Sequence, residues 1–214
     1  MTGIISQNVG RPSGLMKATV AGGGSLNLIK SQTASSSSTI SFVNGTSDVV
    51  LDSTYIIYVF KFINIHPSAH NPDSAGGLNF NASVDTGSNY NVAKTSSAYT
   101  AYHAEDDAGA GVGYNVQNDA AQVTAAIPLS GQIYTDADSS LSGEMYLYNP
   151  SSTTFAKHFM SYNARMDYSG RPYQNQYKVG GYINTTSAVD AIQFSMWSGN
   201  MDSGKIKLYG LKDS

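Results

Sequence analysis

The 214-residue chain has no cysteine, only 13% charged residues, six prolines and a single tryptophan. The absence of cysteine excludes disulfide bonds and thiolate chemistry. A net charge of −3 with only 12 Lys and Arg provides no basic stripe for a phosphate backbone, so we expect no nucleic-acid partner. A chain of this length buries roughly 70% of the surface that its unfolded form exposes, so it needs neither disulfides nor a metal to fold.

Long apolar runs are also missing. The first eight residues have neither the basic nor the apolar segment of a secretory signal. The longest apolar stretch, residues 55–65, contains Lys61 and Asn64 and is too short to cross a bilayer. The sequence therefore predicts no membrane insertion, and we expect any route out of a cell to be release of a particle from a lysed host.

The missing charge is replaced by 15 Tyr, 21 Gly and many small hydrogen-bonding residues. From residue 39 onward, β-branched and aromatic residues alternate with polar ones, and Gly- and Asn-rich turns separate these runs. No segment has the period of an amphipathic helix of ordinary length. We predict an all-β fold: one antiparallel β-sandwich of jelly-roll type over residues 31–214.

Residues 1–30 are predicted to form an extended N-terminal docking arm. Glycines interrupt this segment, and the run 11–14 is a turn signal. Its short apolar clusters are too small to form a core, so we expect them to dock on a neighbouring subunit, with a flexible terminus as the alternative. The residues assigned to assembly are Ile4, Ile5, Arg11, Leu15 and Met16.

Strands are predicted at residues 39–43, 55–63, 78–84, 122–129, 143–149, 179–183, 191–197 and 205–211. The strand at 55–63 is expected to be central and buried on both faces, and that at 78–84 to have one wet face. Residues 85–120 are expected to be long loops with at most one strand. Residues 155–166 fit a helix or a strand, and a partial period of two favours the strand. The last two strands are predicted to form a hairpin across residues 198–204.

The segment 191–210 carries the pattern I-x-F-x-x-x-S-G-N-x-x-x-G-x-I-x-L-Y-G. It resembles the end of jelly-roll-like β-sandwich modules in virion proteins of tailed bacteriophages, and residues 3–8 and 14–17 resemble the opening of small phage structural proteins. The resemblance implies a non-catalytic virion component on the particle exterior, either a capsid decoration or head fibre, or a tail fibre or adhesin. It also implies capsid or tail subunits as partners, a homo-oligomer such as a trimer, and assembly in the host cytoplasm before release on lysis.

Aromatic side chains are the candidates for a contact surface. Tyr90, Tyr99, Tyr102 and Tyr114 lie in the loop-rich middle of the chain, and Trp197 ends a predicted strand. Such rings stack on sugars or form protein interfaces, although ordinary loop packing explains the tyrosines equally well. The alternative function is therefore a carbohydrate-binding β-sandwich module that recognises a host glycan.

The sequence contains few candidate metal ligands, and we expect no cofactor. Asp106, Asp107, Asp136 and Asp138 are candidate calcium ligands, but neither pair has the EF-hand spacing, and solvated acidic loops are favoured. A zinc pair at His66 and His70 has helical spacing, yet the prolines at 67 and 72 exclude a helix there.

Catalytic groups are sparse as well. Glu105 and Glu144 are the chain's only glutamates. A glycosidase needs two carboxyl groups about 5 to 10 Å apart, and nothing in the sequence brings these two together. Because no nucleophile elbow or phosphate-binding loop is present either, we predict that the protein is not an enzyme.

Overall fold

A computed structural model of the protein describes residues 26–70, 76–168 and 172–212. The predicted assembly residues, Ile4 to Met16, lie outside these ranges. The described chain contains no helix, and thus none that could cross a membrane. Its thirteen strands are β1 (Leu26–Thr33), β2 (Thr39–Val43), β3 (Ile57–Pro67), β4 (Leu78–Ser83), β5 (Lys94–Ala104), β6 (Ala110–Tyr114), β7 (Ala120–Val123), β8 (Ile127–Pro128), β9 (Leu141–Tyr148), β10 (Lys157–Tyr168), β11 (Pro172–Ile183), β12 (Ala191–Met196) and β13 (Met201–Leu211).

The strands form two antiparallel sheets packed together. The large sheet has nine strands in the order β1-β13-β3-β9-β10-β11-β5-β6, with β7 also pairing with β5. The small sheet has four strands in the order β2-β12-β4-β8. The predicted antiparallel β-sandwich is therefore confirmed, while its jelly-roll type stays a prediction. Because β1 begins at Leu26, residues 26–30 belong to the sheet and not to the predicted arm.

Phenylalanine fills the space between the sheets. Phe194 of β12 meets three rings edge-on at centroid distances of 6.3, 5.1 and 5.2 Å, those of Phe42, Phe60 and Phe62. All four side chains are at most 2% exposed. They occupy alternate positions of their strands, so the period of two in the sequence directly produces this interior.

Strand β4 shows where alternation misleads. All six of its residues are buried, although one face was expected to be wet. The Asn81 side chain donates hydrogen bonds to the carbonyl oxygens of Tyr90 and Thr124, so the loops before β5 and after β7 cover that face. The expectation was wrong because an alternating pattern does not reveal which loops will lie over the polar side.

The expectation of long loops over residues 85–120 was also wrong. That region contains β5, which is 11 residues long, and the shorter strand β6. Strand β5 is rich in Ser, Thr and Ala and lacks a strong hydrophobic pattern. It is held by an unbroken ladder with β11 that runs from the Tyr173–Ala104 pair to the Ile183–Lys94 pair.

The last two strands do not form the predicted hairpin. Strand β12 pairs with β2 and β4 in the small sheet, whereas β13 pairs with β1 and β3 in the large sheet. The connection therefore crosses between the sheets, with Gly199 at a φ of 66° and the Asn200 amide donating to Ser68. The inward positions predicted for Ile206 and Leu208 are confirmed, since both are fully buried.

Candidate binding groove

The outer face of the large sheet, turned away from the small sheet, carries a row of residues across four strands. Met160 of β10 pairs with Tyr146 of β9 and with Gly180 of β11, and Gly180 pairs with Ser97 of β5. A depression of about 300 Å³ lies over this row. We call it the tyrosine groove; its lining is Ser97, Tyr99, Tyr146, Tyr148, Met160, Ser161, Tyr162, Lys178, Val179 and Gly180.

The groove exists because Gly180 has no side chain. A Cβ built there would meet a single atom, the carbonyl oxygen of Phe159, at 4.0 Å. Packing therefore does not require glycine at this position, and any larger side chain would project into the groove. The next residue differs: a Cβ on Gly181 would collide with the Thr95 carbonyl oxygen and lie 2.8 Å from the Cα of Ser96.

Aromatic rings form the walls of the groove. The rings of Tyr146 and Tyr148 are stacked, with centroids 6.4 Å apart and planes within 17°. The Tyr162 hydroxyl donates a 2.6 Å hydrogen bond to the side chain of Gln176, which fixes its ring. Between these walls the Met160 side chain is 59% exposed. The groove walls are therefore apolar ring surfaces with hydroxyl groups at their edges.

Lys178 provides the charge of the groove. Its ammonium nitrogen lies 5.4 Å from the ring centroid of Tyr162 and 5.9 Å from that of Tyr99, within the range of cation–π attraction. Among the side chains that the structure describes, no carboxylate forms an ion pair with it. The Glu144 carboxylate on the same sheet face pairs instead with Lys61, and this hydrogen bond raises the pKa of Lys61.

The groove has the chemistry of a binding surface. Burial, followed by the nearby charge of Glu144, raises the pKa of Tyr146, whose phenol, like that of any tyrosine, is protonated and able to donate at neutral pH. No Asp, Glu or His belongs to the described lining, whose ionisable groups are Lys178 and the tyrosine phenols. Tyrosine faces, hydroxyl groups and one cation can orient a polar ligand with flat apolar surfaces.

The structure brings only part of the predicted aromatic set to this site. Tyr99 lines the groove and is 47% exposed, and Tyr114 is its partner in the β5–β6 ladder. The Tyr114 hydroxyl donates to Asp119 at 2.8 Å, which raises the pKa of the phenol. Tyr102 lies an odd number of residues from Tyr99, so it points to the other face, where its ring contacts Tyr173 at 5.8 Å.

The two remaining aromatic candidates lie outside the groove. Tyr90 is half-buried in the loop between β4 and β5. Trp197 is 50% exposed, and its ring packs over Gly76, where a Cβ would collide with it. Trp197 thus packs on the backbone at Gly76 and does not line the groove.

Most groove residues were missed by sequence reasoning, although one signal pointed to them. On β9, Tyr146 and Tyr148 alternate with the buried Met145 and Leu147. Two aromatics on the outward positions of a strand indicate an exposed aromatic stripe. The contributions of Met160 and Lys178 depend on which strands are neighbours, which the sequence does not reveal.

The candidate calcium ligands fall into two separate places. Asp106 and Asp107 lie in the turn between β5 and β6, with the Asp107 carboxylate 3.3 Å from His103. Asp136 and Asp138 lie in the loop before β9. In the described parts of the chain, no three acidic or histidine side chains come together as a metal site, and calcium stays the untested alternative to solvated acidic loops.

The histidines and glutamates do not converge either. His66 Nε2 donates a 3.2 Å hydrogen bond to the Asp136 carbonyl oxygen, whereas His70 contacts the Thr135 hydroxyl and its ring lies tilted against that of Tyr134. Glu144 lies on β9 and Glu105 follows β5, which is three strands away in the sheet. Three strand spacings amount to about 14 Å, beyond the separation that glycoside hydrolysis uses.

Comparison with known proteins finds no matching family, and neither a curated protein nor a solved structure is significantly similar to this chain.

Proposed function

We propose that the protein is a non-catalytic carbohydrate-binding component of a tailed-phage particle, mounted on its exterior, with the tyrosine groove as the binding site. The observation that carries the binding part is the groove itself: four tyrosine side chains around a floor left open by Gly180. Its volume of about 300 Å³ matches the lower end of small-ligand pockets.

A carbohydrate fits these surfaces better than a purely apolar ligand. Sugar rings have flat C–H faces that stack on aromatic rings, and hydroxyl groups that need donors and acceptors. The groove offers both, since Ser97 and the tyrosine hydroxyls lie beside the ring faces. The site is also open along the sheet face, which suits a segment inside a longer glycan chain as well as a free end.

The particle location rests on the C-terminal sequence pattern described above. The same resemblance supports the jelly-roll type of the sandwich, the capsid or tail partners and a homo-oligomer such as a trimer. Recognition of a host glycan and mounting on a virion are compatible, because a sheet face pointing outward leaves the groove accessible. A soluble binding module without a particle is the alternative.

The groove is tested with a glycan microarray and the full-length protein in three forms: wild type, Gly180→Val and Gly113→Val. A Cβ at position 180 meets only the Phe159 carbonyl oxygen, at 4.0 Å, so the valine side chain is directed into the groove; a Cβ at position 113 on β6, outside the groove, has no neighbour within 4 Å. We expect wild type and Gly113→Val to bind the same glycans and Gly180→Val to lose them while keeping its melting temperature. Equal binding by wild type and Gly180→Val would show that the glycan binds outside the tyrosine groove. Absence of glycan binding by the wild-type protein would contradict the proposal that the ligand is a carbohydrate.

The location is tested separately with antibodies against the purified protein and intact phage particles from its source. Immunogold labelling of the particle surface is the expected result. Detection of the protein only in the soluble fraction of the lysate would contradict the virion location and leave the glycan experiment unaffected.

A further inference from the structure

We infer that the carbohydrate bound by the tyrosine groove is acidic, with its anionic group seated on the ammonium of Lys178. This inference rests on the proposed function, because it concerns the ligand of the same groove. It commits to a sugar that carries a carboxylate or an equivalent anionic substituent.

The first argument is that no carboxylate among the described side chains pairs with the charge of the groove. Lys178 is the one charged side chain among the described residues of the lining. The neighbouring acid on this face, Glu144, is already paired with Lys61. The chain has 15 acidic residues against 12 basic ones. Acidic side chains are therefore plentiful, and a lysine that lies between two aromatic rings without a described carboxylate beside it is unexpected.

The second argument is that two aromatic rings hold the Lys178 ammonium in one place. The register places Lys178 of β11 between Tyr162 of β10 and Tyr99 of β5, and its nitrogen lies within 6 Å of both ring centroids. Tyr162 is itself fixed by its hydrogen bond to Gln176. Attraction to two ring faces restricts the motion of a long side chain, which lowers the entropy lost when a ligand is bound.

The third argument concerns what a ligand gains. A sugar ring lying over Gly180 would bring an anionic substituent at its edge to the exposed Lys178 ammonium, where it would accept a charge-assisted hydrogen bond. A neutral sugar would stack on the same rings but leave the ammonium without a counter-charge. The groove should therefore discriminate by charge as well as by shape.

The test uses pairs of related probes of which one carries an acidic group and the other does not. Oligogalacturonate is compared with its methyl ester, and sialylated and sulfated oligosaccharides are compared with their neutral parents, by isothermal titration of the full-length protein. The variants are Lys178→Met, which keeps an apolar stem without the charge, and Lys178→Arg, which keeps the charge. Lys205→Met on β13 is the matched control, because it removes an exposed lysine outside the groove.

We expect at least one acidic probe to bind about tenfold or more tightly than its neutral counterpart, a ratio that corresponds to one charge-assisted contact. Lys178→Met should abolish that preference, Lys178→Arg should retain most of it, and Lys205→Met should leave it unchanged. Added salt should weaken binding of the acidic form only.

Two outcomes separate this inference from the proposed function. Equal binding of acidic and neutral members of each pair, or a preference that survives Lys178→Met, would overturn the acidic ligand and leave the glycan-binding groove standing. Failure of every acidic probe while neutral glycans bind would also overturn it. Failure of all glycans with the wild-type protein would reject both proposals.

Discussion

The two faces of the large sheet differ in most of the aromatic residues that they carry, although Tyr58 and Tyr177 are also buried on the inner side, and β10 contributes to both faces. The inner face presents buried phenylalanines to the small sheet, and the outer face presents tyrosines to solvent; the first set includes Phe60, Phe62 and Phe159, and the second Tyr99, Tyr146, Tyr148 and Tyr162. A phenol needs a hydrogen-bond partner when it is buried, whereas a phenyl ring does not. The comparison indicates that neighbouring residues on one strand serve separate purposes, stability on one face and recognition on the other.

The largest expected effect compares two neighbours on β10. Phe159 is 1% exposed and packs against Phe80 at 4.8 Å, while Met160 is 59% exposed. Phe159→Ala should lower the free energy of unfolding by about 3 to 5 kcal/mol because it leaves a cavity. Met160→Ala should change it by less than about 0.5 kcal/mol. Urea denaturation measures both, and similar values for the two variants would contradict the division between faces.

A second effect concerns the buried Lys94, whose ammonium donates hydrogen bonds to Asn81 and to the carbonyl of Val92. Burial lowers the pKa of Lys94 from 10.5 to about 8. Between these two pH values the unfolded chain binds more protons than the folded one, so the free energy of unfolding should rise with pH, by about 2 kcal/mol from pH 8 to 10. Burial also lowers the pKa of Lys157, which acts in the same direction.

The measurement is urea denaturation at several pH values, for wild type and Lys94→Met. The variant should show a flatter dependence on pH whatever its absolute stability, because the titrating group is gone. An unchanged slope in Lys94→Met would assign the pH dependence to other groups.

A smaller effect separates two adjacent glycines on β11. Gly181→Ala should destabilise the protein by about 1 to 3 kcal/mol, because its Cβ collides with the neighbouring strand β5. Gly180→Ala should be neutral or stabilising by up to about 1 kcal/mol, because the side chain enters the groove and the unfolded chain loses freedom. Melting temperatures of the two variants would settle the order, and a reversal would mean that the two faces have been assigned incorrectly.

The smallest effect belongs to the ion pair on the outer face. The side chains of Lys61 and Glu144 are 36% and 25% exposed, so their attraction is screened by water. Glu144→Gln should cost less than about 1 kcal/mol, with the difference shrinking at high salt. A double-mutant cycle with Lys61→Met isolates the pair. A coupling above 2 kcal/mol, or loss of a hydrolytic activity on substitution, would give Glu144 a role that the groove chemistry does not predict.

The sequence predicts correctly the strands in which apolar and polar side chains alternate strongly. It does not predict the strands that are stabilised mainly by pairing with distant strands. Strands β2, β9 and β12 were predicted close to their observed bounds, because apolar residues alternate along each of them. Strand β5 escaped notice because its Ser, Thr and Ala side chains bury little on their own, and its pairing with β11 joins segments far apart in sequence.

The same limit applies to the last strands and to the groove. The short connection between β12 and β13 fits a hairpin as well as a crossover, and only the partners of each strand decide between them. Tyr99 was identified as a contact residue, but in a presumed loop and with different neighbours. The groove depends on the register of β9, β10, β11 and β5, which is set by long-range packing.

The pairing of β1 with β13 has a consequence for biosynthesis. Leu26 lies opposite Leu211, so one edge of the large sheet is completed by the two most distant strands of the described chain. While the ribosome is still making the last strand, β1 has no partner and β3 lacks the neighbour on that side. Completion of the sheet must therefore follow synthesis of β13, which favours slow, late folding and makes unfinished chains prone to aggregate through exposed strand edges.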